Sequence, residues 1–327
     1  MRAAATHPIP PIEPVGQGVR RPLWSVMIPT YNPGAWLRKT LESVMAQDPG
    51  PERMQLEVVD NGSSGDGPEP LLREVCGARA AFYRRPKNEG AVANFNECVQ
   101  RSQGHLVHIL HSDDYVLPGF YAEIERLARL HAEAALLATR CFFVDEEGVI
   151  TDVTVRLPEL ERGGRAAEAV FYETPLQFPG VVIRRGFYEA HGGYIPSLAH
   201  VPDREMWARA VSLGGGVVSP EVLACYRRSG SNYTAELMRS GENIHSLLQL
   251  EGLFRERHPG FSGARARRAT AEIALRQART FQAANDPVSA RTNWRLWLRT
   301  ATWQQRAEER LRAAARWLFG RNGQHSR

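Results

Sequence analysis

Between Leu23 and Leu110, four short apolar runs alternate with three segments of helical period. The runs are Leu23 to Ile28, Leu56 to Val59, Ala81 to Tyr83 and Leu106 to Leu110. Their length and strand-forming residues read as β-strands. The segments between them repeat apolar residues at spacings of three and four: Leu37, Leu41, Val44 and Met45, then Leu71, Leu72 and Val75, then Phe95 and Val99. Strands joined by crossover helices pair in parallel. The expectation is therefore an α/β fold with a mostly parallel, Rossmann-like central sheet flanked by helices.

Each run stops at polar residues: Pro29 to Gly34, Asp60 to Ser64, Arg84 to Gly90, and Ser112 to Asp114. Parallel strands deliver these clusters to one sheet edge, the edge where open α/β sheets bind ligands. Asp113 and Asp114 stand out. Two adjacent acids at a strand tip suit a hard divalent cation that also grips a diphosphate. The plainer alternative is an Asx-type turn into the helix after Pro118. No G-x-G-x-x-G and no G-x-x-x-x-G-K occurs, which argues against a dinucleotide dehydrogenase and a P-loop ATPase.

The second half has another rhythm. A helix is expected over 120–131, a hairpin from Ala135–Val144 through Asp145–Gly148 into Val149–Val155, and strands at Val181–Ile183 and Val217–Tyr226. Residues 156–170 read as a mobile loop. In His200 to Trp207, Pro202 disfavours helix at Val201, and Asp203 suits a helix cap or first turn. His108 and Trp207 read as packed core residues. From Glu236 the pattern is helical to the end.

With 327 residues, 43% hydrophobic and 24% charged, the chain can hold one large domain and an appendage. The net charge of +5 is uneven: residues 254–327 carry 16 Arg against 5 acids, a net of +11, leaving −6 on the rest. A uniformly basic nucleic-acid binder would look different, so no nucleic-acid partner is expected. The four cysteines form no CxxC pair, which favours reduced, buried thiols and a cytoplasmic setting. No apolar run approaches a membrane span. Residues 1–21 lack the apolar region of a secretory signal and read as a disordered, proline-rich leader.

The run Ser25 to Asn32 (SVMIPTYN), then Glu57 to Ser63, Asn88 to Gly90 and His111 to Asp114, resembles family 2 glycosyltransferases of the GT-A fold. Pro202 to Arg209 is similar to that family's acidic acceptor-side motif, and Tyr226 to Asn232 to its terminal motif. The resemblance covers Trp24 to Thr234 and implies a GT-A domain at 22–235 with a helical, Arg-rich extension at 236–327. It implies inverting transfer of a sugar from a nucleotide-sugar, UDP- or dTDP-linked, to an acceptor hydroxyl, in surface polysaccharide or glycan synthesis. On that resemblance Pro29, Thr30, Tyr31, Asn32, Asp60, Asn88 and Ser112 border the nucleotide, with Asp60 at the base. Asp113 ligates Mg²⁺ or Mn²⁺, Asp114 and Arg227 meet the donor sugar or diphosphate, and Asp203 is the general base, with Glu205 as its rival.

Two positions depart from the pattern: His111 where an acid is usual, and Ser229 where a histidine is usual. Both weaken the expected metal and phosphate contacts. His111 reads as a polar neighbour of the site, and Arg227 or Arg228 as partial compensation. Asp60 and Asp203 also have plain readings, as an Asx-turn and a helix cap. In the tail, Trp303, Ala307, Leu311, Ala314 and Leu318 share a helix face among arginines. That face either packs on the protein or lies in an anionic membrane surface, which would fit a lipid-linked glycan acceptor. Two other functions compete. One is a nucleotidyltransferase, although Pro29 to Asn32 is no Gly- and Arg-rich phosphate loop. The other is a catalytically silent nucleotide-sugar-binding scaffold.

Overall fold

The computed structural model describes residues 7–157, 160, 163, 168–171, 176–229, 233–257 and 261–320. The chain divides into two compact units, residues 1–230 and 231–327.

The first unit opens with β1 (Trp24–Thr30), α1 (Leu37–Met45), β2 (Met54–Asp60), α2 (Glu69–Cys76), β3 (Ala81–Arg84), α3 (Ala91–Arg101) and β4 (Leu106–Ile109). β1 is buried along its whole length, because both faces are covered. Val26 and Ile28 share a core with Leu37, Leu41 and Val44 of α1, while Met27 packs with Cys98 of α3. β2 pairs with one edge of β1 and β4 with the other, both in parallel. The order β3-β2-β1-β4 therefore switches direction at β1, and the crevice beside such a switch is where ligands bind. The β1–β4 ladder ends at Met27↔Ile109, with the Leu110 N–H on the Met27 carbonyl. The next rung would need an N–H from Pro29, which has none. The two strand ends are thus free to part.

The sheet continues through β5 (Tyr115–Val116), α4 (Phe120–Leu130), β6 (Leu136–Val144), β7 (Ile150–Val153), β8 (Val181–Arg184), α5 (Arg185–His191), α6 (Pro202–Gly214) and β9 (Gly216–Arg227). β8 joins β4 antiparallel, β6 joins β8 antiparallel, and β9 joins β6 in parallel. The parallel part is thus the first four strands, and the rest of the sheet is mixed. Only the β6/β7 pair has a local cause: β6 turns straight back into β7, with Asp145 Oδ1 accepting from the N–H groups of Glu147 and Val149, so no crossover helix intervenes. All four cysteines are buried and free, and His108 is fully buried with Nε2 at 3.1 Å from the Pro179 carbonyl.

The expected disordered leader is corrected over its described part, residues 7–21. Ile12 is buried, the Pro10 carbonyl accepts from Gly193 N–H at 2.8 Å, and the Glu13 carbonyl accepts from Arg185 Nη2 at 2.9 Å. Proline-rich chain makes no hydrogen bonds of its own, so local pattern reads it as loose. Here its carbonyls are taken by partners more than 170 residues away. Residues 1–6 lie outside the described part, as does most of the expected loop at 156–170.

One position tests this packing. A Cβ on Gly104 would lie 2.4–2.7 Å from backbone atoms of Trp24 and Ser25. Since β1 cannot yield without disturbing both ladders, Gly104→Ala is expected to cost about 1–3 kcal/mol or more, read as a lowered urea midpoint.

The second unit holds α7 (Tyr233–Ser240), α8 (Glu242–Arg257), α9 (Gly263–Ala283), α10 (Pro287–Thr300) and α11 (Trp303–Gly320). Ser262 and Asp286 cap α9 and α10 by accepting from the N–H groups of Arg265 and Ser289. Among the described side chains of α11, Gln305 and Glu309 are buried. Gln305 Nε2 donates to the Arg268 carbonyl, and Glu309 pairs with Arg279 at 2.5 Å. Trp303 and Leu311, of the expected apolar face, are 76% and 72% exposed. Ala314 and Leu318 lie beyond the described side chains. No described helix is long and apolar enough to cross a membrane.

Candidate active site

The polar loops converge on the β1/β4 crevice through their own hydrogen bonds. Asn32, in left-handed backbone at φ 44°, takes Ser64 N–H on Oδ1 and gives its own N–H to Ser63 Oγ. Asn61 bridges onward: its Nδ2 donates to Asn88 Oδ1 and the Gly90 carbonyl, while its Oδ1 accepts from Arg85. Gly62 makes this fit possible. Its φ is +75°, and a Cβ there would lie 2.8 Å from the Lys87 backbone. Pattern reading missed Asn61 as the latch between two loops; its signal was the Asn-Gly turn pair. Pro29 and Thr30 are buried and Ser112 half-buried, while Tyr31 is 49% exposed at the rim. Thr30 Oγ1 is buried without a partner.

Asp60 is fully buried, one carboxylate oxygen takes the Ser63 hydroxyl and the other takes Arg84 Nε at 2.7 Å. Both oxygens have partners inside the protein, so the side chain organises the loop. Arg227 is 5% exposed, and its Nε and Nη1 donate to the carbonyls of Asp113, Asp145 and Glu146. These bonds brace the loop, and its charge opposes the upward push on both carboxyls. Arg228 lies over the Phe143 ring at 3.6 Å. Ser229 Oγ is buried and unpartnered; the rest of that motif, 230–232, is outside the described residues.

Asp113 and Asp114 lie in the turn that follows β4. The Asp114 N–H meets the His111 carbonyl, Thr40 Oγ1 donates to the Asp114 carbonyl at 2.7 Å, and the Arg227 N–H reaches Asp114 Oδ1 at 2.8 Å. Asp114 Oδ2 is left buried with no partner. Burial pushes the Asp113 carboxyl up, against the opposing pull of Arg227. Asp114 is pushed well up by burial and by the neighbouring Asp113 charge, outweighing the Arg227 N–H and guanidinium. Two desolvated carboxylates side by side favour a cation between them. One nitrogen of His111 and one oxygen from each acid lie within 4.8 Å of one another. The residues present fit a divalent metal ion. His111, expected as a polar neighbour of the site, lies beside both acids, with one ring nitrogen close to an oxygen of each. Burial lowers the His111 pKa to about 4, so the ring is neutral at neutral pH.

An aromatic wall joins this cluster to α6. His111 stacks on Phe95 with centroids 5.1 Å apart and meets Phe178 at 4.3 Å. Phe178 meets Trp207 of α6 edge-on at 5.3 Å, and Tyr194 packs on Phe95. Trp207 itself is 1% exposed, as expected of a core residue. Asp203 lies one turn before Trp207, the second residue of α6. Burial raises its pKa, opposed by the Arg204 charge and the Arg204 N–H on Oδ1, and its charge is felt by Tyr194. Glu205, the rival base, is buried against Arg209 at 3.0 Å, and that guanidinium also binds the carbonyls of His191, Gly192 and Gly193. Glu205 is thus a packing partner.

A family model described as glycosyl transferase family 2 matches residues 25–177. A Mycobacterium tuberculosis protein is 26% identical over 243 residues, covering 68% of this chain and 73% of that relative. Further relatives named as glycosyltransferases match 28–39% of this chain, which amounts to 17–37% of their own length. Among solved structures, Staphylococcus aureus TarS 1–349 in complex with UDP-GlcNAc aligns at a TM-score of 0.52 and 16% identity, covering 86% of this chain and 93% of that one. The mannosyltransferase PcManGT of Pyrobaculum calidifontis, in complex with GDP-Man and Mn²⁺, aligns at 0.55 and 14% identity, covering 94% and 84%. At these identities the structures establish a shared GT-A-type fold.

Proposed function

Because the chain belongs to glycosyl transferase family 2, we propose that it moves a sugar, with inversion, from a UDP- or dTDP-sugar to an acceptor hydroxyl. The observation that carries this reading is the joining of the loops at Asn32, Asn61 to Ser64 and Asn88 to Gly90 by their own hydrogen bonds, with Asp113 and Asp114 in the turn after β4, the parallel neighbour of β1. The match to the family model over residues 25–177 supports this reading over a nucleotidyltransferase, and donor binding without transfer would favour the silent scaffold.

In this reading Thr30, Tyr31, Asn32, Asn88 and Ser112 border the nucleotide. Asp60 acts through Ser63 and Arg84, holding the loop that meets the base. Asp113 and Asp114 hold a divalent cation, Mg²⁺ or Mn²⁺, which supplies charge stabilisation to the departing diphosphate. Arg227 keeps both acids in place. Asp203 takes the proton from the attacking hydroxyl. A single displacement needs its base on the face opposite the leaving group, and α6 is a separate element from the β4 turn. Burial suits Asp203 to that task, since a carboxyl with a raised pKa is a stronger base once ionised. The reading is tested by turnover of a panel of nucleotide-sugars with anomeric analysis of the product. An inverted anomeric centre supports it; retention or no turnover of any donor counts against it.

The acceptor we propose is a glycan carried on a lipid, met at the cytoplasmic side of a membrane. The support is α11, where Trp303 and Leu311 are exposed among exposed Arg306, Arg310 and Arg312. Indole and leucine side chains enter the interface while arginines meet anionic headgroups, each worth about 1 kcal/mol near the surface. The full chain is expected to float with vesicles containing phosphatidylglycerol and to be released by salt. The double variant Trp303→Glu/Leu311→Glu is expected to lose most of that binding with its melting point kept. Equal flotation of the variant would end the membrane reading.

A further inference from the structure

Sequence comparison makes His111 a loss, an imidazole where the family pattern has an acid. The structure points the other way. We propose that His111 supplies a ring nitrogen as a third protein donor to the cation at Asp113 and Asp114, shifting the site's preference away from Mg²⁺ toward d-block ions such as Mn²⁺ and Co²⁺.

Three observations carry this, and the proposal rests on the metal-holding reading given above. First, the donor atoms are gathered. A His111 nitrogen and an oxygen from each acid lie within 4.8 Å of one another. Donors about 2.0–2.6 Å from a shared ion are separated by up to about 4–5 Å, so little movement closes the set. Second, the ring is held. Phe95 stacks on it at an interplanar angle of 14°, and Phe178 lies 4.3 Å from its centroid. A ring clamped by two aromatic neighbours arrives pre-oriented, which is what a ligand set requires. Third, polar atoms go unmatched. His111 Nε2 and Asp114 Oδ2 are both shielded from solvent without a hydrogen-bond partner, and Asp114 is 1% exposed. Buried polar atoms are normally partnered, and two orphans in one turn point to a guest that binds there.

The turn itself makes the arrangement. With the Asp114 N–H on the His111 carbonyl at 3.2 Å, residues 111, 113 and 114 are drawn into one short loop. Arg227 then fixes Asp114 Oδ1 at 2.8 Å, leaving the other oxygen for the ion. The selectivity follows from ligand chemistry. Mg²⁺ demands oxygen and surrenders water reluctantly, whereas affinity for nitrogen-containing sites rises from Mn²⁺ to Co²⁺ along the first-row series. Replacing a carboxylate by an imidazole also removes one negative charge, which costs the harder ion most.

The experiment is pulsed electron paramagnetic resonance of the full chain with Mn²⁺ and UDP. Modulation from a directly coordinated imidazole ¹⁴N is expected in the wild type and absent in His111→Asp. In parallel, displacement of Mn²⁺ by Mg²⁺ gives the ratio of the two affinities. That ratio is expected to fall at least tenfold in His111→Asp, whose melting point reports whether it folds; the wild-type spectrum stands even if it does not. Bound Mn²⁺ without ¹⁴N coupling, an unchanged ratio in a folded variant, or no Mn²⁺ binding at all overturns the proposal. Failure of the donor reading is separable. It would appear as imidazole-coordinated Mn²⁺ in a protein that no nucleotide-sugar stabilises.

Discussion

Replacing Asp203 by Asn is expected to remove turnover while leaving donor binding and folding in place. General-base assistance is worth about 10²–10⁴ in rate, so kcat should drop by that factor with little change in the melting shift given by a nucleotide. The stability side carries an opposite sign. Burial raises the Asp203 pKa above its value in the unfolded chain. The fold thus favours the protonated form, and stability is surrendered as the pH rises through the folded pKa. At neutral pH the ionised group is a burden that Asn removes, so Asp203→Asn should melt no lower than the wild type. The same shift places the acid limb of kcat/KM above the ordinary carboxylate value of 3.8, because the base works only when ionised. A variant that loses activity and also melts much lower would assign Asp203 to structure. A folded variant with full turnover would move the base elsewhere.

Asp113→Ala carries the second large effect. In the wild type, UDP at 100 times its dissociation constant adds about 2.7 kcal/mol of stability, and this gain is expected to require a divalent ion. In the variant the ion-dependent part should vanish. Losing several kcal/mol of charge stabilisation on the departing diphosphate corresponds to roughly a thousandfold or more in rate at 1.36 kcal/mol per decade. The carboxyl is already pushed up by burial, so its removal should leave the ligand-free protein as stable or slightly more so. An unchanged ion-dependent shift in UDP binding would remove Asp113 from the metal site.

The sequence was most readable where structure is local. The alternation from Leu23 to Leu110 contains its own evidence: each strand, helix and polar stop is set by neighbours within a few residues, and the parallel order follows from the crossovers. What escaped depends on distant partners. Nothing near β6 says that it pairs with β9 in parallel and β8 antiparallel. Asp60 and Arg227 carry the residue types of ligand contacts, yet Arg84 and the carbonyls of Asp145 and Glu146 claim them first. Pattern matching assigns a role to a residue type, but only geometry shows which competitor has taken its hydrogen bonds. The aromatic wall is half legible, since Phe95 and Val99 repeat at helical spacing, but the stacking of Phe95 on His111 is not. In α11 the helical period holds, but among its described side chains Gln305 and Glu309 are the buried ones.

The segment from His7 to Glu13 is fastened to the stretch that holds Tyr194, and it approaches as near as glycine permits. A Cβ on Gly192 would meet Ile9 and the Pro10 carbonyl at 2.5 and 2.7 Å. Residues 7–13 and the twin glycines before Tyr194 are therefore a lock and its keyhole, and neither tolerates redesign alone. For anyone engineering the enzyme, residues 7–13 are no spare handle. A fusion partner joined tightly there, or a trim back to the first strand, would pull on the wall beside Asp203 from the opposite end of the sequence.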